Sequence, residues 1–357
     1  MTMRAAVYRG EGRVFVESVP VPEIGPGEIL IRVAVCGVCP TDVKKVHDNL
    51  LPPPRIYGHE TAGTVAAVGA EVSDYRIGDR VAVFHHIPCR NCYYCNQRVY
   101  AQCPVYKKVG VTAGFEPAGG GYAQYVRVMD WIVRAGVVRI PNGVSFEEAC
   151  FVEPINTCLK SIRQARLAPG DTVLIQGQGP IGLMLLALAR REGCRVIVSD
   201  PMDERLFVAA KFGADTMVNP RRESVIERVK SLTENRGADA VLVAAPATSL
   251  VGEALEAVRP GGRVMLFAAT SRKDRAELPL ASICMDEKQL IGSYSADVDL
   301  QEESARLVFE RQLQLPLREL ITHRFPLDRV EDAIELAYHP KPDSLKIVVN
   351  VNTEANE

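Results

Sequence analysis

The chain has 357 residues, 47% of them apolar and 24% charged, with a formal net charge of −2. At roughly 150 residues per domain, that length predicts about two domains with sizeable cores. The near balance of 42 basic and 44 acidic residues excludes the charge excess of a nucleic-acid or acidic-membrane binder.

The N-terminus, MTMRAAVYRGEGRVFVE, lacks an apolar run ahead of a small-residue cleavage site and does not read as a signal peptide. The longest apolar stretch, Ile181 to Ala189, is too short to span a bilayer. A cytoplasmic protein is expected, and in that compartment clustered cysteines favour metal over disulfides.

Up to about residue 150, short apolar segments alternate with turns: RAAVYRG, VFVESVPVP, EILIRVAV, TAGTVAAVG and RVAVF, separated by stretches such as PEIGPGE and RIGDR. That spacing predicts a β-rich barrel or sandwich. From about 155 to 291 the rhythm changes. TVLIQ (172–176) predicts a strand, and Gly179-Pro180 opens an apolar helix ending near Gly193. RVIVS (195–199) predicts a second strand and DERLFVAAKFG (203–213) a second helix. Further strands are expected around 216–218, 240–244, 263–267 and 289–293. Alternating strands and helices indicate a parallel sheet covered on both faces. The remainder predicts a helix over 302–312 and a strand over 344–351 that return to the first domain. The expected class is α/β, with one domain of residues 1–154 plus 292–357 and an inserted domain of 155–291.

After strand 172–176 comes Gly177-Gln178-Gly179-Pro180-Ile181-Gly182, a G-x-G-x-x-G pattern, and the second strand ends at Asp200. A strand before the glycines, a helix after them and an acidic residue ending the next strand together form a dinucleotide fingerprint. Gly177 allows the tight turn, Gly179 admits a pyrophosphate and Gly182 lets helix and strand pack closely. Pro180 and Ile181 begin the helix whose N–H groups face the phosphates. Asp200 accepts from ribose hydroxyls and repels a 2′-phosphate, favouring NAD over NADP. The plainer reading, a glycine turn with Asp200 as a helix cap, is outweighed by the full constellation. Arg205, on the next helix, either approaches the ribose or lies solvated on the surface.

Cys89, Cys92, Cys95 and Cys103 are spaced C-x2-C-x2-C-x7-C. Four thiolates complete a tetrahedral zinc shell with no open position, so this lobe is expected to be structural. An iron–sulfur cluster uses the same ligands but needs a redox partner, and the balanced local charge argues against a nucleic-acid finger. A second set is dispersed: Cys36-Gly37-Val38-Cys39-Pro40-Thr41-Asp42, Gly58-His59-Glu60 and Val152-Glu153-Pro154. Cys, His and carboxylate make a mixed site of the catalytic kind, although spacing alone leaves this trio open.

GVCPTD, GHETAGTV, the four-cysteine lobe, GGGYAQY, VEPIN and GQGPIG occur in this order. In these motifs the whole chain resembles the zinc-dependent medium-chain dehydrogenases. The resemblance implies a GroES-like catalytic domain interrupted by a Rossmann domain, two zinc ions per chain and NAD as cofactor. It implies that Cys39 and His59 hold the catalytic zinc. Glu60 and Glu153 supply carboxylate, one directly and one through water. Thr41 matches the hydroxyl that starts a proton relay. Glu153-Pro154 resembles the sorbitol, polyol and threonine branch, whereas ethanol-type enzymes carry cysteine there. The implied reaction is oxidation of a secondary alcohol or polyol to a ketone. The alternatives are a threonine-type amino-alcohol dehydrogenase and a non-catalytic zinc-stabilised binding protein. A homotetramer without nucleic-acid or membrane partners is also implied.

The chain departs from the family at Lys44, where many relatives carry the relay's histidine. His47 lies about one helical turn further on if the segment is helical. Ser295 stands where some polyol dehydrogenases carry arginine. His86 matches a histidine of threonine dehydrogenases and is expected as a substrate contact. Cys36 and Cys150 are expected to be packed thiols.

Overall fold

Strand β3 (Ile29–Gly37) is buried along nearly its whole length because it takes neighbours on several sides. The computed structural model in which this is seen describes residues 1–84, 87–106, 119–268, 273–313 and 315–352. The expected contact residue His86 lies outside them. The chain divides into two compact units. The first comprises Met1–Asn156, Ala296–Gln312 and Pro316–Glu357, and the second Thr157–Ser295 and Leu313–Leu315. The cut placed at 154/155 from the sequence falls here inside the helix Val152–Ala165, and the one at 291/292 falls at 295/296.

In the first unit, β1 (Thr2–Gly10) pairs with β2 (Arg13–Pro20) and β4 (Arg55–Ile56). The larger sheet runs from β15 (Ile321–Pro326) and β16 (Lys346–Asn350) through β3 to β5 (Glu60–Val68), β6 (Arg80–Val83) and β8 (Val137–Arg139). β7 (Tyr125–Val128) also pairs with β3. The core collects Ile29, Ile31, Val33, Val126, Val128 and Val349 from these elements. Their β-branched side chains suit a pleated, half-buried surface.

Register places the site residues. Gly37 of β3 stands opposite Glu60 of β5 on one side and Val348 of β16 on the other. Lys346, two residues before Val348, therefore faces the same side of the sheet. Helix α1 (Pro40–His47) starts three residues past the end of β3, with Cys39 as N-cap and Pro40 at its first turn. A proline there loses no helical hydrogen bond.

The second unit is a six-stranded parallel sheet in the order β11 (Thr216–Val218), β10 (Arg195–Ser199), β9 (Thr172–Gln176), β12 (Ala238–Val243), β13 (Val258–Leu266), β14 (Gln289–Gly292). This is the order of a Rossmann sheet, with its topological switch between β9 and β12. β13 begins earlier than the sequence suggests, running through Pro260 and Gly261 with a register shift. The helix expected over 302–312 ends at Phe309, and Arg311 beyond it has φ 53°, a conformation that cannot continue a helix. Among the described residues no helix is long and apolar enough to cross a membrane.

Candidate metal centres and dinucleotide site

Cys89, Cys92, Cys95 and Cys103 come together within one short lobe. Their sulfurs lie 3.5 Å (Cys92 to Cys95), 3.5 Å (Cys103 to Cys89) and 3.9 Å (Cys89 to Cys95) apart. Four ligands at the ~2.3 Å zinc–thiolate distance stand about 3.8 Å from one another in a tetrahedron. All four are free thiols, and the set fits a metal with no vacant position. Burial opposes ionisation of Cys103, but backbone N–H donors from Cys89, Tyr106 and Val105 outweigh it and hold its thiol down at about 6. The lobe packs on Ala101 and Tyr106. Tyr100 donates to Asp299 at 2.7 Å and Tyr106 to the Ala296 carbonyl at 3.0 Å, tying the lobe to the segment that re-enters the unit.

The second centre is assembled from separate elements. Cys39 caps α1, while His59 and Glu60 stand at the start of β5. Their ligand atoms lie within 4.8 Å of one another. Nδ1 of His59 faces the Asp42 carboxylate at 2.9–3.0 Å, leaving Nε2 as the ring's ligand atom. Asp42 is fully buried, in the first turn of α1, where the helix dipole favours a negative charge. Lys45, one turn on, reaches it at 3.5 Å. Burial opposes the charge on His59, yet Asp42 raises its imidazole well above the usual value. Burial likewise opposes Asp42's charge, and His59 and Lys45 hold its carboxyl below the ordinary range. Such a carboxylate–histidine pair fixes the ring's tautomer and orientation for a metal.

Glu60 is buried, and one of its oxygens takes an ion pair from Lys346, which also donates to the Val38 carbonyl at 3.3 Å. Burial disfavours the ammonium, but Glu60 holds its pKa above the ordinary lysine value. Gly37 makes this pairing possible. A Cβ there would lie 1.8 Å from the Glu60 oxygen and 3.0 Å from Cε of Lys346. Asp42 and Lys346 were not identified from the sequence. A lysine inside the apolar run LKIVV and an acid three residues after Cys39 were the available signals.

Glu153 does not join the ligand group. It is buried in the first turn of the helix Val152–Ala165. Burial first, and then Glu60's charge, push its carboxyl up to about 7, against the opposing pull of His59 and Lys346. Asn156 anchors this helix start, exchanging two hydrogen bonds with the Asp297 backbone at 2.7 and 3.0 Å. Thr41 is exposed, and its backbone N–H points to the Cys39 sulfur at 3.5 Å. The segment after Cys39 is helical, so His47 stands about 10 Å along the axis from Pro40. It stacks on Tyr338. Cys36 and Cys150 are buried, and burial pushes both thiols up.

In the second unit the glycine loop follows β9. Gly177 has φ 95°, and a Cβ on Gly182 would lie 1.9 Å from the Gly177 carbonyl oxygen. Both positions require glycine. A Cβ on Gly179 would meet only Arg205, at 3.9 Å, so space remains over the N-terminus of the helix Pro180–Arg191, of which Ile181 forms the first turn. Asp200, ending β10, accepts from the backbone N–H groups of Gln178 at 2.7 Å and Met202 at 2.9 Å. Each oxygen retains a lone pair for a ribose hydroxyl. Arg205 is not solvated: its Nη1 is 3.9 Å from Asp200, and its Nε is buried without a hydrogen-bond partner. This unpaired donor and the open glycine cradle fit a dinucleotide. Ser295, also in this unit, has φ 62°.

Comparison with known proteins agrees with both units. The family "Alcohol dehydrogenase GroES-like domain" matches residues 25–142, and "Zinc-binding dehydrogenase" matches residues 180–310. Sorbitol dehydrogenase of Bacillus subtilis (strain 168) is 31% identical over 98% of each chain. L-threonine 3-dehydrogenase of Symbiobacterium thermophilum is 32% identical over 94% of each. A solved structure from Sinorhizobium meliloti 1021, described as a zinc-binding dehydrogenase bound to NADP, superposes with a TM-score of 0.89 at 27% identity. The match covers 98% of this chain and all of the other.

Proposed function

Because the chain belongs to the zinc-dependent medium-chain dehydrogenases, and is therefore an oxidoreductase, we propose that it oxidises the secondary hydroxyl of a polyol or sugar alcohol to a ketone with NAD. The observation that carries this reading is the pair of buried carboxylates, Glu60 and Glu153, beside Cys39 and His59. A carboxylate-rich pocket accepts a substrate with a second hydroxyl beside the reacting one. It penalises analogues that lack that hydroxyl and leave polar groups unpaired.

Cys39, His59 and Glu60 would hold the catalytic zinc, and the four lobe cysteines the structural one. When bound, zinc supplies Lewis-acid polarisation of the substrate oxygen and the nicotinamide accepts hydride. Asp42 keeps the His59 ring in one tautomer. Lys346 neutralises one Glu60 oxygen and leaves the other for the site. Glu153, with its carboxyl up at about 7, holds or releases a proton near neutrality, suited to a water or a substrate hydroxyl. The Thr41 hydroxyl is the first stop for the proton leaving the alcohol. Gly177, Gly179, Pro180, Ile181 and Gly182 receive the pyrophosphate.

Asp200 favours NAD because a 2′-phosphate would meet its carboxylate, although Arg205 stands close by and the Sinorhizobium relative was solved with NADP. Comparing kcat/KM with the two cofactors tests this, and replacing Asp200 with Ser should relax the preference. For the substrate, sorbitol, butane-2,3-diol, threonine and propan-2-ol are compared at saturating NAD. Diols or polyols should exceed propan-2-ol by at least about tenfold in kcat/KM, or roughly 1.4 kcal/mol. Propan-2-ol as the best of the four sinks the polyol reading. Threonine as the best selects the amino-alcohol reading, which the 32% identity to a threonine dehydrogenase supports. Cytoplasmic location and a homotetramer complete the proposal, and light scattering that finds a stable monomer contradicts the latter.

A further inference from the structure

The four-cysteine lobe and the helix turn that carries Glu153 both hold one short segment, residues 296–299. In the lobe, Cys103 is bonded through its backbone to two tyrosines. Its N–H donates to the Tyr100 carbonyl at 2.9 Å, and its carbonyl accepts from the Tyr106 N–H at 3.1 Å. The two hydroxyls then reach the segment. Buried Tyr106 donates to the Ala296 carbonyl at 3.0 Å, and Tyr100 donates to the Asp299 carboxylate at 2.7 Å.

Asn156 holds the same segment from the helix. Its Nδ2 donates to the Asp297 carbonyl at 3.0 Å, and its Oδ1 accepts from the Asp297 N–H at 2.7 Å. The amide thus gives Asp297 the two bonds that a residue paired in a neighbouring strand would give. The segment is itself braced, because Oδ1 of Asp297 accepts from the Asp299 N–H at 2.9 Å and caps the turn Val298–Leu300. Residues 151–156 are all buried. Glu153 and Asn156 are three residues apart, so they share one face of the helix. All of these residues lie in the first unit.

We propose that Asn156 is a positioning residue for Glu153, and that the segment 296–299 links the cysteine lobe to it through Tyr100 and Tyr106. The lobe then does more than stabilise its own loop. Order at Cys103 passes through two tyrosine hydroxyls to the segment, through the Asn156 amide to the helix, and along one helical turn to Glu153. A carboxylate that must meet a substrate hydroxyl or a water is sensitive to such placement, since a shift of about 1 Å can cost about 100-fold in rate. The link sets where Glu153 stands and leaves metal affinity at both centres alone. It rests on the role given to Glu153 under the proposed function.

Amide hydrogen exchange on zinc-replete protein tests the link without turnover. Tyr106→Phe removes one oxygen and keeps the ring. Exchange over residues 152–160 should rise about fivefold, the scale of one lost hydrogen bond, while the helix Pro180–Arg191 exchanges as in the wild type. Unchanged exchange over 152–160 overturns the link to the lobe. Kinetics test the positioning role. Asn156→Ala should lower kcat/KM for the best alcohol about tenfold, whereas the same change made in Glu153→Gln protein should cost less than about twofold. Equal losses in the two backgrounds overturn the role and leave Asn156 a structural residue. Thermal unfolding checks that each variant folds. If Asn156→Ala does not, Tyr106→Phe in the same two backgrounds answers the question, with a loss of about threefold expected only where Glu153 is present. A protein that oxidises none of the alcohols sinks the dehydrogenase substrate reading, and exchange still decides the link.

Discussion

The cysteine lobe and the Cys39 centre use overlapping chemistry in opposite ways. The lobe draws four thiols from fifteen consecutive positions, 89 to 103, and two of the four, Cys89 and Cys92, are only partly buried. Its ligand set is complete in itself. The Cys39 centre draws one residue each from a helix cap and the first two positions of a strand's approach. Buried charges around it, Asp42, Glu153 and Lys346, hold it in place. The lobe is organised by local chain geometry, and the Cys39 centre by the sheet. A locally made site tolerates little substitution of its own ligands but depends weakly on the rest of the unit. A site built across β16, β3 and β5 depends on residues that never touch a metal.

The sharpest way to break this comparison is to remove one thiol from each centre. Cys39→Ser should abolish turnover, with a loss of at least about a thousandfold in kcat and little change in unfolding midpoint. The order of that loss is what removing a principal electrostatic stabiliser costs. Cys95→Ser should instead lower stability and release lobe zinc, while the folded fraction keeps its catalytic zinc. Metal analysis alongside thermal unfolding and kinetics reads both. A Cys95→Ser protein with normal stability and metal content but no activity would reverse the assignment of the two centres.

Next in size is Lys346→Met. Removing one partner of a buried pair leaves Glu60 uncompensated, and about 3–5 kcal/mol of stability should be lost. Urea unfolding measures it, and a loss below about 1 kcal/mol would show that Glu60 finds another partner. Asp42→Asn should be milder. Loss of a histidine-orienting carboxylate costs about 10–100-fold in metal affinity. Chelator competition should show the change at the Cys39 centre only, with the lobe unaffected. Equal weakening at both centres would contradict their independence.

The smallest effect lies in the second unit and serves as a reference for both. Asp239 accepts from Arg259 at 2.6 Å and from the Thr172 N–H at 2.8 Å. Burial works against its charge, but these donors hold its carboxyl below the ordinary value. A carboxyl lowered in the folded state contributes stability that is fully present above its unfolded value of about 3.9 and is lost as pH falls through the folded one. Asp239→Asn should therefore cost about 1 kcal/mol near neutrality and flatten the acid limb of the stability profile. Unchanged acid sensitivity would remove Asp239 from this role.

How much was legible depended on distance along the chain. The four lobe cysteines and the glycine loop announce themselves because all their parts fall within one short segment. Spacing then carries the geometry. The cluster of Cys39 with His59 and Glu60 was accessible only through resemblance, since Cys, His and Glu separated by some twenty residues fit many folds. The sequence left open which glutamate is the ligand, and in the fold a Glu60 oxygen stands within 4.8 Å of the Cys39 and His59 ligand atoms. Arg205 could have been a solvated helix residue, and only packing turned it inward beside Asp200.

By itself, the sequence determined the α/β class, the β-rich and alternating regions, the four-cysteine lobe and the glycine loop after the strand Thr172–Gln176. Period-2 and βα patterns, glycine conformational freedom and ligand spacing are local properties. Only the tertiary structure decided that Lys346 meets Glu60, 286 positions away, that Asp42 orients His59, and that His47 stacks on Tyr338 near Glu335. These pairings follow from strand register and helix docking. Register is set by the summed burial of whole strands rather than by the few polar residues it brings together.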